Sequence, residues 1–113
     1  MGYRSDVILA VAIKHIPRKE LVEGLPLPAE FPTLLVEAVK ANEYRNDGDF
    51  WVFEWEYVKW YESYSDIGEV VKWMNNLTDE SYHFLRVGED AGHVEELGSL
   101  DSGYYIRSSI ERH

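Results

Sequence analysis

Asp6-Val7-Ile8-Leu9-Ala10-Val11-Ala12-Ile13 is a short, continuous apolar run rich in β-branched residues. A run of this kind fits a strand buried on both faces better than a half-exposed one, and it is read as the central strand of a sheet. Downstream, Pro17, Gly24, Pro26, Pro28 and Pro32 punctuate a connection with room for one helical turn at residues 18–23. Phe31, Leu34, Leu35, Ala38 and Val39 then recur at helical spacing, which predicts a first long helix over roughly residues 29–42. The turn residues Asn46-Asp47-Gly48-Asp49 close it.

The segment Phe50–Tyr64 holds 8 of the 16 aromatic residues, and Trp51, Phe53, Trp55 and Tyr57 alternate with Val52, Glu54 and Glu56. This pattern predicts a strand with one aromatic face. The phase changes beyond it, where Val58 and Trp60 oppose Lys59 and Tyr61, so a reversal near Glu56-Tyr57 would make residues 50–64 a hairpin. Asp66-Ile67-Gly68-Glu69 reads as a capping box that opens a helix with a buried stripe of Ile67, Val70, Val71, Met74 and Leu77. Residues 82–87 and 103–110 are expected strands, separated by an acidic, glycine-punctuated loop. The resulting order, β-α-β-β-α-β-β, predicts one α+β domain spanning residues 1–113. An antiparallel sheet of about five strands carries two helices on one face, a ferredoxin-like variant with an added C-terminal strand.

The 113 residues include 11 basic and 21 acidic side chains and no cysteine. Disulfides, thiolate metal sites and a cysteine nucleophile are thereby excluded. No apolar run reaches the roughly 18 residues of a membrane helix. The first apolar stretch is broken by Lys14 and His15 rather than by a small-residue cleavage site, so the expected location is the cytoplasm, away from membranes. Residues 1–42 carry five basic and five acidic groups, whereas the other 71 carry 6 and 16; the net charge of −10 therefore belongs to the latter part. Such a field repels nucleic acid and attracts a basic partner.

Four carboxylates and His93 crowd residues 88–96, but at the spacing of neither an EF-hand nor a zinc helix, so no metal or other cofactor is assigned. Instead, Glu89, Asp90, Glu95 and Glu96, with Glu54, Glu56, Trp55 and Tyr57, are the expected contacts to a basic protein surface. The histidines accompany no Ser-His-Asp order or nucleophile elbow, and no catalytic residue is assigned. Asp6 and Arg86 are expected to form a structural ion pair, with Glu95 on the solvated side of the loop. A second use of the same region is a small anionic or nucleotide-like ligand held by Lys59, Trp60, Arg86 and Arg107.

The opening Met1-Gly2-Tyr3-Arg4-Ser5-Asp6-Val7, the central Lys59-Trp60-Tyr61-Glu62-Ser63-Tyr64 and the late Arg86-Val87-Gly88-Glu89-Asp90 with Glu95-Glu96 and Arg107-Ser108-Ser109-Ile110 carry a likeness. Together they resemble a family of small, acidic, uncharacterised proteins from phages and prophages. The chain departs from that pattern in its proline-rich connection and at His93. The resemblance implies a non-enzymatic inhibitor of a host defence or nucleic-acid-handling protein, anti-CRISPR-like or anti-restriction, working in the host cytoplasm.

Overall fold

The computed structural model describes residues 4–27, 31–40, 44–46, 49–61, 63–88, 94–106 and 110–112. β1 (Ser5–Ala12) lies at the centre of a five-stranded antiparallel sheet. It is followed by α1 (Arg18–Glu23), α2 (Thr33–Lys40), β2 (Tyr44–Asn46), β3 (Phe50–Val58), α3 (Ser65–Asn75), β4 (Tyr82–Gly88) and β5 (Val94–Leu97). The strands are ordered β2-β3-β1-β4-β5, and a separate two-stranded hairpin is formed by β6 (Tyr104–Ile106) and β7 (Ile110–Arg112). The expected α+β class, with an antiparallel sheet of about five strands, is the class observed.

Several strands differ from expectation. The fifth strand of the sheet is β5, inside the stretch read as an acidic loop, and residues 103–110 do not form one strand but contribute to the hairpin. β3 runs unbroken from Phe50 to Val58, so the aromatic segment is not a hairpin at Glu56-Tyr57; it pairs antiparallel with β2 instead. Asn46, expected among the turn residues that close the first helix, belongs to β2, whose three residues carry no alternation long enough to register as a strand.

Directly opposed residues of an antiparallel pair share a face. Val7, Leu9 and Val11 therefore stand with Trp55, Phe53 and Trp51 of β3 and with Arg86, Phe84 and Tyr82 of β4 on one side. The helices cover this side: Leu35 and Ala38 of α2 and Ile67, Val70, Trp73 and Met74 of α3 join the same buried cluster. Phe31 meets Trp73 edge-on, with ring centroids 5.5 Å apart. Trp73 lies outside the stripe expected for α3, whose Val71 and Leu77 are only partly buried. On the opposite side, Ile8, Ala10, Val52 and Leu85 pack against Tyr104 of the hairpin, with Phe50, Leu100 and Ile110 at the margin.

The capping box at Asp66 does not form. Asp66 Oδ1 accepts from the neighbouring Ile67 N–H at 2.9 Å, while Glu69 Oε2 accepts from Thr33 N–H at 3.2 Å, capping the start of α2 instead of α3. A carboxylate just past the first turn of one helix thus satisfies an orphan donor of another. At Gly98 (φ 81°) a Cβ would stand 2.1 Å from the Tyr82 carbonyl oxygen, so only glycine allows the chain to turn there from β5 back beneath β4. No helix among the described residues is long and apolar enough to cross a membrane.

Candidate functional site

The end of β3 departs from regular pairing. Trp55 opposes Val7 and Val58 opposes Ser5, so three steps along β3 match two along β1 and the register shifts. Glu56 and Tyr57 together face Asp6, which is a β-bulge. Tyr57 takes φ 54°, the one positive φ at a non-glycine residue among those described. That conformation costs an L-residue roughly 1–2 kcal/mol. Three contacts hold it: Asp6 Oδ1 accepts from Tyr57 N–H at 2.8 Å, Arg4 donates to the Tyr57 carbonyl at 3.4 Å, and the Arg4 guanidinium lies 5.2 Å from the ring centroid. The ring nevertheless stays 65% exposed.

Around this bulge the polar and apolar groups alternate as the strand dictates. Glu54 and Glu56 are exposed, while Trp55 is half-buried, stacked on Phe53 at 6.3 Å and against Trp60 at 5.5 Å. Between β1 and the end of β3 a cleft of about 90 Å³ is lined by Asp6, Glu54 and Glu56 on its polar side and by Ile8, Trp55 and Ile110 on its apolar side. Glu54 is tethered at 3.4 Å by Arg45 of β2, which also donates to the Tyr104 hydroxyl. Burial pulls the Arg45 pKa down, but the hydrogen bond to Tyr104 and the charges of Tyr104 and Glu54 outweigh it and hold it above its ordinary value.

Asp6 and Arg86 do not pair. Asp6 opposes Val87 and Arg86 opposes Val7, so the two side chains leave opposite faces of the sheet. Arg86 instead meets Glu95 at 3.4 Å and donates to the Trp60 carbonyl at 3.4 Å. Glu95 is consequently a partner of the structural arginine and not a purely solvated loop residue. Glu96 projects from the other face, where its carboxylate lies 2.6 Å from His83 Nε2. A carboxylate can only accept, so this nitrogen carries a hydrogen, and in the neutral ring Nδ1 accepts from the Ser102 hydroxyl at 2.7 Å. Ser102 in turn accepts from Tyr104 N–H at 3.3 Å. With Ser102 only 4% exposed and its hydroxyl engaged twice, this serine, histidine and glutamate fasten the chain ahead of the hairpin to β4 and β5.

No family model, curated protein or solved structure matches the chain. Of the expected partner contacts, Glu54, Trp55, Glu56 and Tyr57 come together at the bulge with Asp6. Glu95 and Glu96 lie on β5, three strands away, and Glu89, Asp90 and His93 fall outside the described residues. Of the residues expected to hold an anion, Arg86 donates to the Trp60 carbonyl but is engaged by Glu95, Trp60 is buried at 4% exposure between Trp55 and Phe84, Lys59 is half-buried, and Arg107 lies outside the described residues. Among the described residues no three histidine or acidic side chains gather to hold a metal ion.

Sequence reasoning missed Arg4, Arg45, His83 and Ser102. Arg4 had a local signal, since a cation two residues before Asp6 leads into the same strand end. Arg45 belongs to the unforeseen β2, and His83 and Ser102 are 19 residues apart with no spacing rule to join them.

Proposed function

We propose that this chain is a non-enzymatic interaction protein that engages a basic protein surface through the acidic, aromatic end of β3. The observation that carries the reading is Tyr57, a large aromatic kept exposed in a left-handed conformation directly after Glu56, at the end of the strand that also carries Glu54. Backbone strain that surrounding contacts over-determine is often retained where a side chain must be aimed, and an aromatic set among charges makes a strong contact to arginine or lysine. The excess of acid supports the same reading by steering a cationic partner toward the site. The likeness to phage proteins supports a finer one: the partner is a host defence or nucleic-acid-handling protein whose basic groove accepts these carboxylates in place of phosphates, as an anti-CRISPR-like or anti-restriction inhibitor would.

Tyr57→Gly tests the reading, because glycine accepts the same φ without strain. Affinity capture from host lysate should recover a basic protein with the wild-type chain at low salt and lose it at high salt. The Tyr57→Gly chain should stay folded, with binding to the captured protein at least about tenfold weaker. Equal binding by the folded variant, or capture indifferent to salt, overturns the proposal.

A further inference from the structure

We infer that β5 is a second contact surface, an open sheet edge that accepts an extended, basic segment of the partner by strand addition. The inference rests on the proposed basic partner but concerns a different part of the molecule. Among the described residues β5 ends the strand order and pairs only with β4. Beyond Leu97 the chain turns away at Gly98, and Ser99 N–H and Leu100 N–H bond to the Asp79 and Tyr82 carbonyls. In an antiparallel edge strand alternate residues direct their N–H and C=O groups outward, which is the template that strand addition uses. Sheet edges are commonly defended by brevity, charge, proline or a bulge; Val94-Glu95-Glu96-Leu97 has no lysine, proline or bulge, and its defence is its short length and the charge of two glutamates, which a basic strand would neutralise.

Side chains decide what could pair there. Glu95 opposes Arg86 and Glu96 opposes Leu85, so the two carboxylates stand on opposite faces of the same edge. An added strand therefore meets a glutamate on each face and is matched by adjacent lysine or arginine residues. Each carboxylate is already held upright by one oxygen, Glu95 Oε1 on Arg86 and Glu96 Oε2 on His83, so little side-chain freedom remains to be lost on binding. Val94, 51% exposed, offers the apolar contact beside them. A second copy of this chain is a poor occupant, because antiparallel self-pairing of β5 would set glutamate against glutamate.

The probe is a short capped peptide with a central Val-Lys-Lys-Val, used beside the same peptide N-methylated at every central amide. Hydrogen exchange of the full chain should show new protection at residues 94–97 with the first peptide, and the methylated one should bind at least about tenfold more weakly. The doubly substituted chain Glu95→Gln with Glu96→Gln keeps acceptors for Arg86 and His83, and it should also bind the peptide more weakly. Equal affinity for the two peptides, no protection at 94–97, or a mass that doubles with concentration in the absence of peptide each overturns strand addition. The Tyr57→Gly chain separates the two proposals. If it still shows peptide protection at 94–97 yet loses the captured partner, both stand. If it keeps the partner while β5 is protected, only the bulge site falls; if β5 is never protected while the partner is lost, only the edge falls.

Discussion

The two faces of the sheet are closed in different ways. Against the helices, Val7, Leu9, Val11, Trp51, Phe53 and Phe84 meet apolar side chains from α2 and α3 in a layer continued by Trp55 and Trp60. Against the hairpin, four small or medium residues, Ile8, Ala10, Val52 and Leu85, are covered by Tyr104 and a partly buried margin. Polar fastenings then stand at both sides: Arg45 on the Tyr104 hydroxyl near β2, and Ser102 on His83 near β5. The helical face is stabilised by extensive burial, whereas the hairpin, which among the described residues shares no backbone ladder with the large sheet, is held by the packing of Tyr104 and a few directed bonds. Two three-residue strands would be marginal alone. The acidic site sits where the thinner cover ends, at Ile110 and the β3 bulge.

The largest effect should separate these faces with one chemistry. Leu9 and Leu85 are both fully buried, on opposite sides of the sheet. Leu→Ala substitutions cost about 2–5 kcal/mol, the value rising when the cavity cannot collapse. Leu9→Ala, locked between aromatic rings and two helices, is expected at about 4–5 kcal/mol. Leu85→Ala, beneath a hairpin free to settle, is expected at about 2–3 kcal/mol. Chemical denaturation of both variants measures the difference; an equal or reversed order would mean that the hairpin is packed as rigidly as the helices.

Next in size is the fastening at His83. His83→Ala strands the buried Ser102 hydroxyl and frees Glu96, a loss of about 1–3 kcal/mol. Its signature is local: amides of β6 and β7 should lose hydrogen-exchange protection while those of β1 keep theirs. Loss of protection spread evenly over β1 and the hairpin would show one cooperative unit and remove the distinction between the faces.

The two faces were also unequally legible in the sequence. β1 announced itself because a strand covered on both sides leaves an uninterrupted apolar run, and α3 through the spacing of Ile67, Val70 and Met74. The hairpin and the sheet edges were obscure because their elements are short and their bonds long-range: β6 and β7 have three residues each, β2 and β5 three and four, and Glu95-Glu96 look like loop residues unless Arg86 and His83 are known to stand opposite. The bulge had only a change of phase after Tyr57, which a reversal explains equally well until the pairing with β1 is seen. Glu69 carries the same lesson, since local spacing cannot show that Thr33 arrives beside it.

A smaller effect is expected at the ion pair that replaced the anticipated one. Arg86 and Glu95 are 29% and 35% exposed at the side chain, in the range where such pairs contribute about 0–1 kcal/mol. Glu95→Ala should stay within that range. Arg86→Ala should cost slightly more, because the bond to the Trp60 carbonyl on the helical face goes with it. Equal losses in the two variants would show that this carbonyl bond contributes nothing to the cover around Trp60.

The smallest effect concerns how far the helical face desolvates its margin. His15 ends the short turn after β1, beside Ile16 of the helical cluster, and its Nε2 is buried with no bonding partner among the described residues. Burial first, and then the charge of Lys14, pushes its pKa below the ordinary 6.5. The folded chain therefore resists protonation where the unfolded chain accepts it. Above pH 6.5 both states are neutral at this ring and nothing is lost. As pH falls from 6.5 toward the lower folded value, the unfolded state takes up the proton first and stability declines; below the folded value the decline stops. His15→Gln removes the titration while keeping a polar side chain. Unfolding midpoints of the two chains between about pH 5 and pH 7.5 should differ in slope over this window, the wild type losing more on the acid side. Parallel profiles would mean that water reaches His15 Nε2 freely and that the dry helical face stops short of the end of β1.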